Sequence, residues 1–498
     1  MIKLFQVKDG RTEALGFCFH VFPWDNFFCI IREAIKHGGN HMNTTIAAIS
    51  TAVSASGIGI IRISGPEAMD VISRIYRSKG GKKKIKEVPT HTIHYGYIYD
   101  GEEAVDEVLV MVMRAPKTFT GEDTVEIDCH GGVYAMNRVL ETVLKNGAKI
   151  AGPGEFTKRA FLNGRLDLSQ AEAVMDVIQA KNEYALRSSM SQLKGSVQKT
   201  IKEIRNDLIY EIAFIESALD DPEHISLDGY PQKLLGIVEK EQRSIDGLLK
   251  TSSDGKIIRE GIETVIVGKP NAGKSSLLNL LVGENKAIVT DIEGTTRDIL
   301  EEYITLHGIT LKIVDTAGIR ETQDVVEKIG VSRAREAAKD ADLILYVVDS
   351  STLLDENDEE IIEMLKGRKA IVLYNKTDLA SAVSMEALEE RTSHPVIPIS
   401  AKEETGITQL AETIKSMFFS GKISFNDEVY ITNARHKEAL EEAAQSLSMV
   451  RRSIEDGMPE DFFSIDLMNA YEQLGTIIGE AVEDDLVNEI FSKFCMGK

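Results

Sequence analysis

Between residues 46 and 129 the apolar positions come in short runs separated by turn residues: Ile46-Ala47-Ala48-Ile49, Gly59-Ile60-Ile61-Arg62-Ile63-Ser64, and the segments 91–99, 105–113 and 124–129. Runs of this length, rich in β-branched residues and bounded by Gly, Ser and Asp, predict strands. Helical spacing over 67–76 and 133–146 predicts two helices packed against them. Arg62 and Glu126 interrupt otherwise apolar strands, a pattern that places a charge on the open, solvated face of a sheet. From Pro153-Gly154-Glu155-Phe156-Thr157 the period changes. Leu, Ile and Val recur at heptad-like spacing with Glu, Lys and Arg between them, as in packed amphipathic helices. One such helix stops at Asp220-Asp221-Pro222, another covers 231–252, and Ser253-Asp254-Gly255 reads as a linker. Helical spacing resumes at Asn433 and continues to residue 498. Neither helical half can bury its apolar stripe alone, so the segment between them is expected to be inserted into one bundle.

That inserted segment opens with the run Glu263-Thr264-Val265-Ile266-Val267, the loop Gly268-Lys269-Pro270-Asn271-Ala272-Gly273-Lys274-Ser275 and the leucine-rich Ser276-Leu277-Leu278-Asn279-Leu280-Leu281. Strand, glycine-bracketed loop and helix in this order make a phosphate-binding P-loop. Amides freed at the helix N-terminus face the phosphates, and the helix dipole favours their charge. Asn271, Ala272, Gly273, Lys274, Ser275 and Ser276 are the expected contacts, with Lys274 reaching the outer phosphates and Ser275 offering its hydroxyl to Mg²⁺. Gly294-Thr295-Thr296-Arg297-Asp298, Asp315-Thr316-Ala317-Gly318, Asn375-Lys376-Thr377-Asp378 and Ser400-Ala401-Lys402 follow. Thr296 completes the Mg²⁺ shell, Asp315 supports the metal through water, and the Gly318 amide senses the γ-phosphate. The Asp378 carboxylate only accepts hydrogen bonds, and guanine presents two adjacent donors where adenine has no such pair. Asn375 and Lys376 brace that loop, and the Ala401 amide meets the guanine oxygen. The nucleotide is GTP, and the domain is a P-loop GTPase of Ras-like α/β type.

Ile319 follows Gly318, where many GTPases carry a water-orienting Gln. Another polar group must take that role. Glu327 is the nearest candidate, its alternative being a surface carboxylate on a switch helix. Asn271 has a side-chain oxygen able to hold a monovalent cation beside the phosphates, which would replace an arginine finger.

Composition narrows the picture further. A chain of 498 residues should hold about three domains. The expected fold is multidomain α/β: an atypical extension over 1–41, an α+β domain over 42–160, helical halves at 161–256 and 421–498, and the GTPase domain at 257–420. The extension holds the sole Trp (Trp24), Cys18 and Cys29, lacks the marks of a secretory signal, and Met42 is the expected start of the native protein. No run of 18 apolar residues suggests a membrane span. A net charge of −22 argues against broad attachment to nucleic acid or anionic membrane. The basic stretch 79–86 reads either as a solvated turn or as a tRNA-backbone contact. Cys129 and Cys495, like Cys18 and Cys29, have neither metal-ligand nor disulfide spacing, which fits a reducing cytoplasm.

Together, Gly268 to Ser275 and Thr290-Asp291-Ile292-Glu293-Gly294-Thr295-Thr296-Arg297-Asp298 resemble the MnmE (TrmE) family of tRNA-modification GTPases. So do Phe119-Thr120-Gly121-Glu122-Asp123 with Cys129-His130-Gly131-Gly132, the junction over 154–168, and the terminal Cys495-Met496-Gly497-Lys498. The resemblance implies that residues 290–295 lie against the nucleotide and that hydrolysis depends on K⁺ and is triggered when two G domains meet. Asn271, Thr290, Ile292 and Thr295 would hold the K⁺, and Glu327 would orient the water. It implies an N-terminal domain that dimerises and binds 5,10-methylene- or 5-formyl-tetrahydrofolate through Arg62, Glu126, Arg165 and Lys498, with Cys495 as a catalytic thiol or a spectator. Arg165 stands where the family pattern leads one to expect Lys, keeping the charge but changing donor geometry. It further implies a heterotetramer with the flavoprotein MnmG (GidA) and addition of a carboxymethylaminomethyl or aminomethyl group at C5 of the wobble uridine of certain tRNAs. The competing class is a GTP-dependent switch, such as a ribosome-assembly factor, without one-carbon chemistry.

Overall fold

The computed structural model describes residues 5–8, 11–14, 44–81, 84–284, 302–314, 338–339, 341–419, 429–480, 484–495 and 497. The chain divides into two compact units, one formed by residues 1–165 with 491–498 and the other by residues 166–490.

In the first unit a short antiparallel pair, β1 (Phe5–Lys8) and β2 (Arg11–Ala14), precedes a seven-stranded sheet. Its strands are β3 (Ile46–Ile49), β4 (Gly59–Ser64), β5 (Tyr76–Ser78), β6 (Thr92–Asp100), β7 (Glu103–Met113), β8 (Thr124–Cys129) and β9 (Lys149–Ile150), in the spatial order β5-β6-β7-β8-β4-β3-β9. Every pairing is antiparallel except β3 with β9. Period-two alternation assigns the faces. Ile61, Ile63, Val110, Val112, Val125 and Ile127 form a core with α1 (Ala68–Ile75) and α2 (Val133–Lys145). On the other face Ile46, Ala48 and Ala151 pack on Phe156 of α3 (Glu155–Leu162). Arg62 shares that second face, since its register partners are Ala48 and Glu126. The C-terminal segment groups here rather than with the helical half to which the sequence pattern assigned it. The cause is aromatic packing: Phe491 lies 6.2 Å from Phe161 and 5.0 Å from Phe494, centroid to centroid. In the basic stretch, Lys79 pairs with Tyr95, Lys84 with Glu87 and Lys86 with Asp70, so these three lysines are engaged locally.

The second unit joins a helical bundle to an α/β domain. Its sheet contains β10 (Ile262–Val267), β11 (Glu302–Leu306), β12 (Ile309–Ile313), β13 (Leu343–Asp349), β14 (Ala370–Asn375) and β15 (Val396–Pro398), ordered β11-β12-β10-β13-β14-β15. Only β11 runs antiparallel. All seven residues of β13 are buried, as both faces of a parallel sheet require. Leu345 and Val347 join the core under α8 (Lys274–Glu284) and α11 (Ile407–Phe418), while Ile344, Tyr346 and Val348 join the one under α9 (Glu356–Leu365) and α10 (Met385–Thr392).

The bundle contains α4 (Leu168–Gln179), α5 (Glu183–Leu193), α6 (Ser196–Asp220) and α7 (Tyr230–Glu260) before the sheet, and α12 (Ala434–Glu455) and α13 (Asp461–Ile478) after it; α14 (Asp484–Ser492) follows in the chain. One core takes Ile201 and Leu208 from α6, Leu234 and Ile245 from α7, Leu440 and Leu447 from α12, and Leu467 and Leu474 from α13. The apolar stripes of both halves therefore meet, which is the insertion the spacing predicts. One expectation fails: Ser253-Asp254-Gly255 is no linker, because α7 runs unbroken through it. The small residue serves packing. A Cβ at Gly255 would collide with the Ile431 carbonyl, and the Thr251 hydroxyl accepts the Ile431 amide at 3.1 Å, so the returning chain lies directly on the helix.

Candidate guanine-nucleotide and N-terminal sites

In open α/β sheets, ligands bind beyond the carboxyl ends of the strands, where neighbouring strands diverge. β10 ends there, between β12 and β13, and hands the chain to Gly268. Gly268 has φ +154, and a Cβ there would collide with the Val347 carbonyl, so no side chain fits. Asn271 sits in the left-handed region at φ 62, which Asn tolerates better than most residues. The Lys274 ammonium donates to the carbonyls of Gly268 at 2.6 Å and Lys269 at 2.7 Å. Its burial pushes the ammonium below the usual lysine range. A cation stretched across the loop in this way has a ready exchange: carbonyl oxygens for phosphate oxygens. Ser275 and Ser276 follow in the first turn of α8.

The base-binding loops are tied to the P-loop by one amide. Asn375, buried at the end of β14, donates from Nδ2 to the Ala272 carbonyl at 2.8 Å, while its Oδ1 accepts the Ala401 amide at 3.2 Å. Lys376, in the left-handed region, donates to Asp349 at 2.5 Å. Burial raises the Asp349 carboxyl, but Lys376 and the Ser351 hydroxyl outweigh it and hold the group below the ordinary carboxylate range. Asp378 is exposed, with Oδ1 accepting from the Ser400 hydroxyl at 2.8 Å. Lys402 is exposed beside Glu403. Asn271, Ala272, Lys274, Asn375, Lys376, Asp378, Ser400 and Ala401 thus converge on one mouth. Thr290, Asp291, Ile292, Glu293, Gly294, Thr295, Thr296, Asp315, Thr316, Ala317, Gly318 and Glu327 lie outside the described residues, as does Lys498. Asp349, at the end of β13, was missed in the sequence. An acid closing a fully apolar strand was the available signal.

The second candidate site lies on the sheet face opposite α1 and α2. Arg62 Nε donates to Glu126 Oε1 at 2.8 Å, and its NH1 donates to the Gly497 carbonyl at 3.2 Å. Both side chains keep only 17% exposure, which corrects the expectation of a solvated face. The pair is shielded because Phe156 lies 5.6 Å from the Arg62 guanidinium and the C-terminal segment crosses above. Arg165 donates to the Thr118 carbonyl at 3.0 Å and lies 5.7 Å from the Phe119 ring, which packs on the Phe156 cluster. Cys495 is exposed and free, whereas Cys129 is buried and its thiol is pushed up to about 12, chiefly by burial. Two guanidiniums, a carboxylate and aromatic edges on one face suit a flat, acid-bearing ring ligand.

Comparison with known proteins follows the same division. Residues 45–165 match the family model "GTP-binding protein TrmE N-terminus", and residues 168–495 match "MnmE helical domain". A tRNA modification GTPase MnmE from Lachnoclostridium phytofermentans is 60% identical over 91% of this chain and 99% of its own length. The chain belongs to the MnmE (TrmE) family. MnmE proteins of Geobacillus kaustophilus and Bacillus licheniformis are each 49% identical, over 91% of this chain and 99% and 100% of their own lengths. As an MnmE-family GTPase, the chain binds and hydrolyses GTP, and its family role is in tRNA modification.

Proposed function

We propose that this GTPase works in K⁺-dependent fashion and, with a flavoprotein of the MnmG (GidA) type in a heterotetramer, adds a carboxymethylaminomethyl or aminomethyl group to C5 of the wobble uridine of certain tRNAs. Lys274 and the loop amides hold the phosphates, Asp378 selects guanine, and Glu327 orients the attacking water. Ser275 and Thr296 would hold Mg²⁺, with Asn271, Thr290, Ile292 and Thr295 holding K⁺. Bound there, the two ions supply positive charge to the oxygens on which negative charge grows. The 42–160 domain would form the homodimer and take 5,10-methylene- or 5-formyl-tetrahydrofolate, whose acid groups Arg62, Arg165 and Lys498 would neutralise while Glu126 accepts from the ring. Cys495, exposed in the same unit, would be the catalytic thiol of that chemistry. Among the described residues no helix is long and apolar enough to cross a membrane, and the setting we propose is the cytoplasm.

The observation that carries this reading is the shielded Arg62–Glu126 pair, held against the Gly497 carbonyl at 3.2 Å. A GTP switch without one-carbon chemistry would need the pair only to hold the C-terminal segment on the sheet. Titration of 5-formyltetrahydrofolate into the full chain tests the point: Arg62→Ala is expected to weaken binding at least about tenfold, a typical cost for a charge-assisted contact. Equal affinity in both proteins, or none in either, would favour the switch.

A further inference from the structure

The P-loop has a side-chain support that its motif does not reveal. Lys269, second residue of the loop, donates to Asp358 at 2.6 Å and to Asp355 at 3.1 Å, its own side chain 15% exposed. Asp358 is 1% exposed and also accepts from the buried Tyr346 hydroxyl at 2.8 Å and the Asp355 amide at 2.9 Å. Asp355 in turn caps α9 through the amides of Asn357 and Asp358. The main chain of Lys269 faces the nucleotide side: its carbonyl accepts from Lys274 Nζ at 2.7 Å and from the Ala272 amide at 3.3 Å. One residue thus ties the phosphate-binding loop, and the cation that will meet the phosphates, to the start of α9.

We propose that Lys269 is a positioning residue for the nucleotide, a strut that fixes the P-loop against Asp355 and Asp358 and offsets carboxylate charge beside the incoming phosphates. Two effects follow from its removal. A loop without a fixed support must be ordered when the ligand binds, which lowers affinity. Two unpaired carboxylates beside the loop also repel a polyphosphate. Lys269 touches no reacting atom, so both effects act equally on the ground and transition states and appear in KM rather than kcat.

The test uses the full chain with GDP and GTP as ligands, alongside steady-state hydrolysis. Lys269→Met is expected to raise the Kd for both nucleotides and the KM for GTP at least about tenfold while kcat at saturation stays within about twofold, the signature of lost uniform binding. Lys269→Arg keeps the charge and should restore affinity to within about threefold. The double variant Lys269→Met/Asp358→Asn removes the uncompensated buried charge and is expected to regain thermal stability while GDP affinity recovers only in part, because one source of repulsion is gone but the strut is still missing. Wild-type Kd in Lys269→Met would overturn the proposal. So would a loss confined to kcat, which would place the side chain's effect in the transition state, or a double variant that regains wild-type affinity along with stability, which would mean the lysine serves folding alone.

Discussion

In the proposed site Asp378 would carry base selection through the acceptor-only chemistry of a carboxylate, which the Ser400 hydroxyl holds at the mouth at 2.8 Å. Asp378→Asn replaces one acceptor with a donor, which faces the guanine donors without a partner. GTP affinity should fall at least about a hundredfold, since a polar site left mismatched loses several kcal/mol. Xanthosine triphosphate, with a carbonyl where guanine has its amino group, should then compete better than GTP. Competition binding with both nucleotides checks this, and retained GTP preference would remove Asp378 from the role. At this scale Lys274, Asn375 and Asp378 were legible in the sequence because their neighbours form contiguous motifs. Lys269 and Asp349 were not, because their partners Asp358 and Lys376 lie far along the chain and meet them only after the sheet has formed. Arg62 was misjudged for the same reason: the residues that shield it come from α3 and from the C-terminus.

Among the elements, the helical halves on either side of the nucleotide domain are joined by a charged clamp as well as by their apolar core. Glu172 of α4 accepts from Arg435 at 2.9 and 3.0 Å and from His436 Nε2 at 2.7 Å, both at the start of α12. Burial raises the Glu172 carboxyl, yet His436 and Arg435 overcome it and bring the group down to about 2. A folded-state pKa below the unfolded value of 4.5 stabilises the fold above that pH, and the contribution is lost as pH falls from 4.5 towards about 2. Its size is roughly 3 kcal/mol by the linkage relation. Glu172→Gln should therefore lower the urea midpoint at pH 7 and flatten the loss of stability on acidification between those limits. Parallel acid limbs in the two proteins would show that the clamp contributes nothing. Element type was readable wherever the apolar period was long, as in α6 and α12. Ser253-Asp254-Gly255 misled because small residues that signal a turn locally also permit a chain to lie on a helix, and only the Ile431 contact distinguishes the two.

Over the whole molecule, the nucleotide domain is inserted between the two halves of one helical bundle, whose apolar stripes share a core. α7 runs into β10, whose other end becomes the P-loop, and residues 429–432 lie along α7. The net charge of −22 argues against broad attachment to nucleic acid through the overall field. The central claim is that GTP turnover at Lys274 drives wobble-uridine modification. Its most direct test is mass spectrometry of tRNA nucleosides from cells lacking this gene and complemented with either the wild-type chain or Lys274→Ala. C5-aminomethyl and carboxymethylaminomethyl uridines are expected to vanish in the deletion, return with the wild-type chain and stay absent with Lys274→Ala, whereas unchanged wobble uridines in the deletion, or full rescue by the variant, would contradict the account.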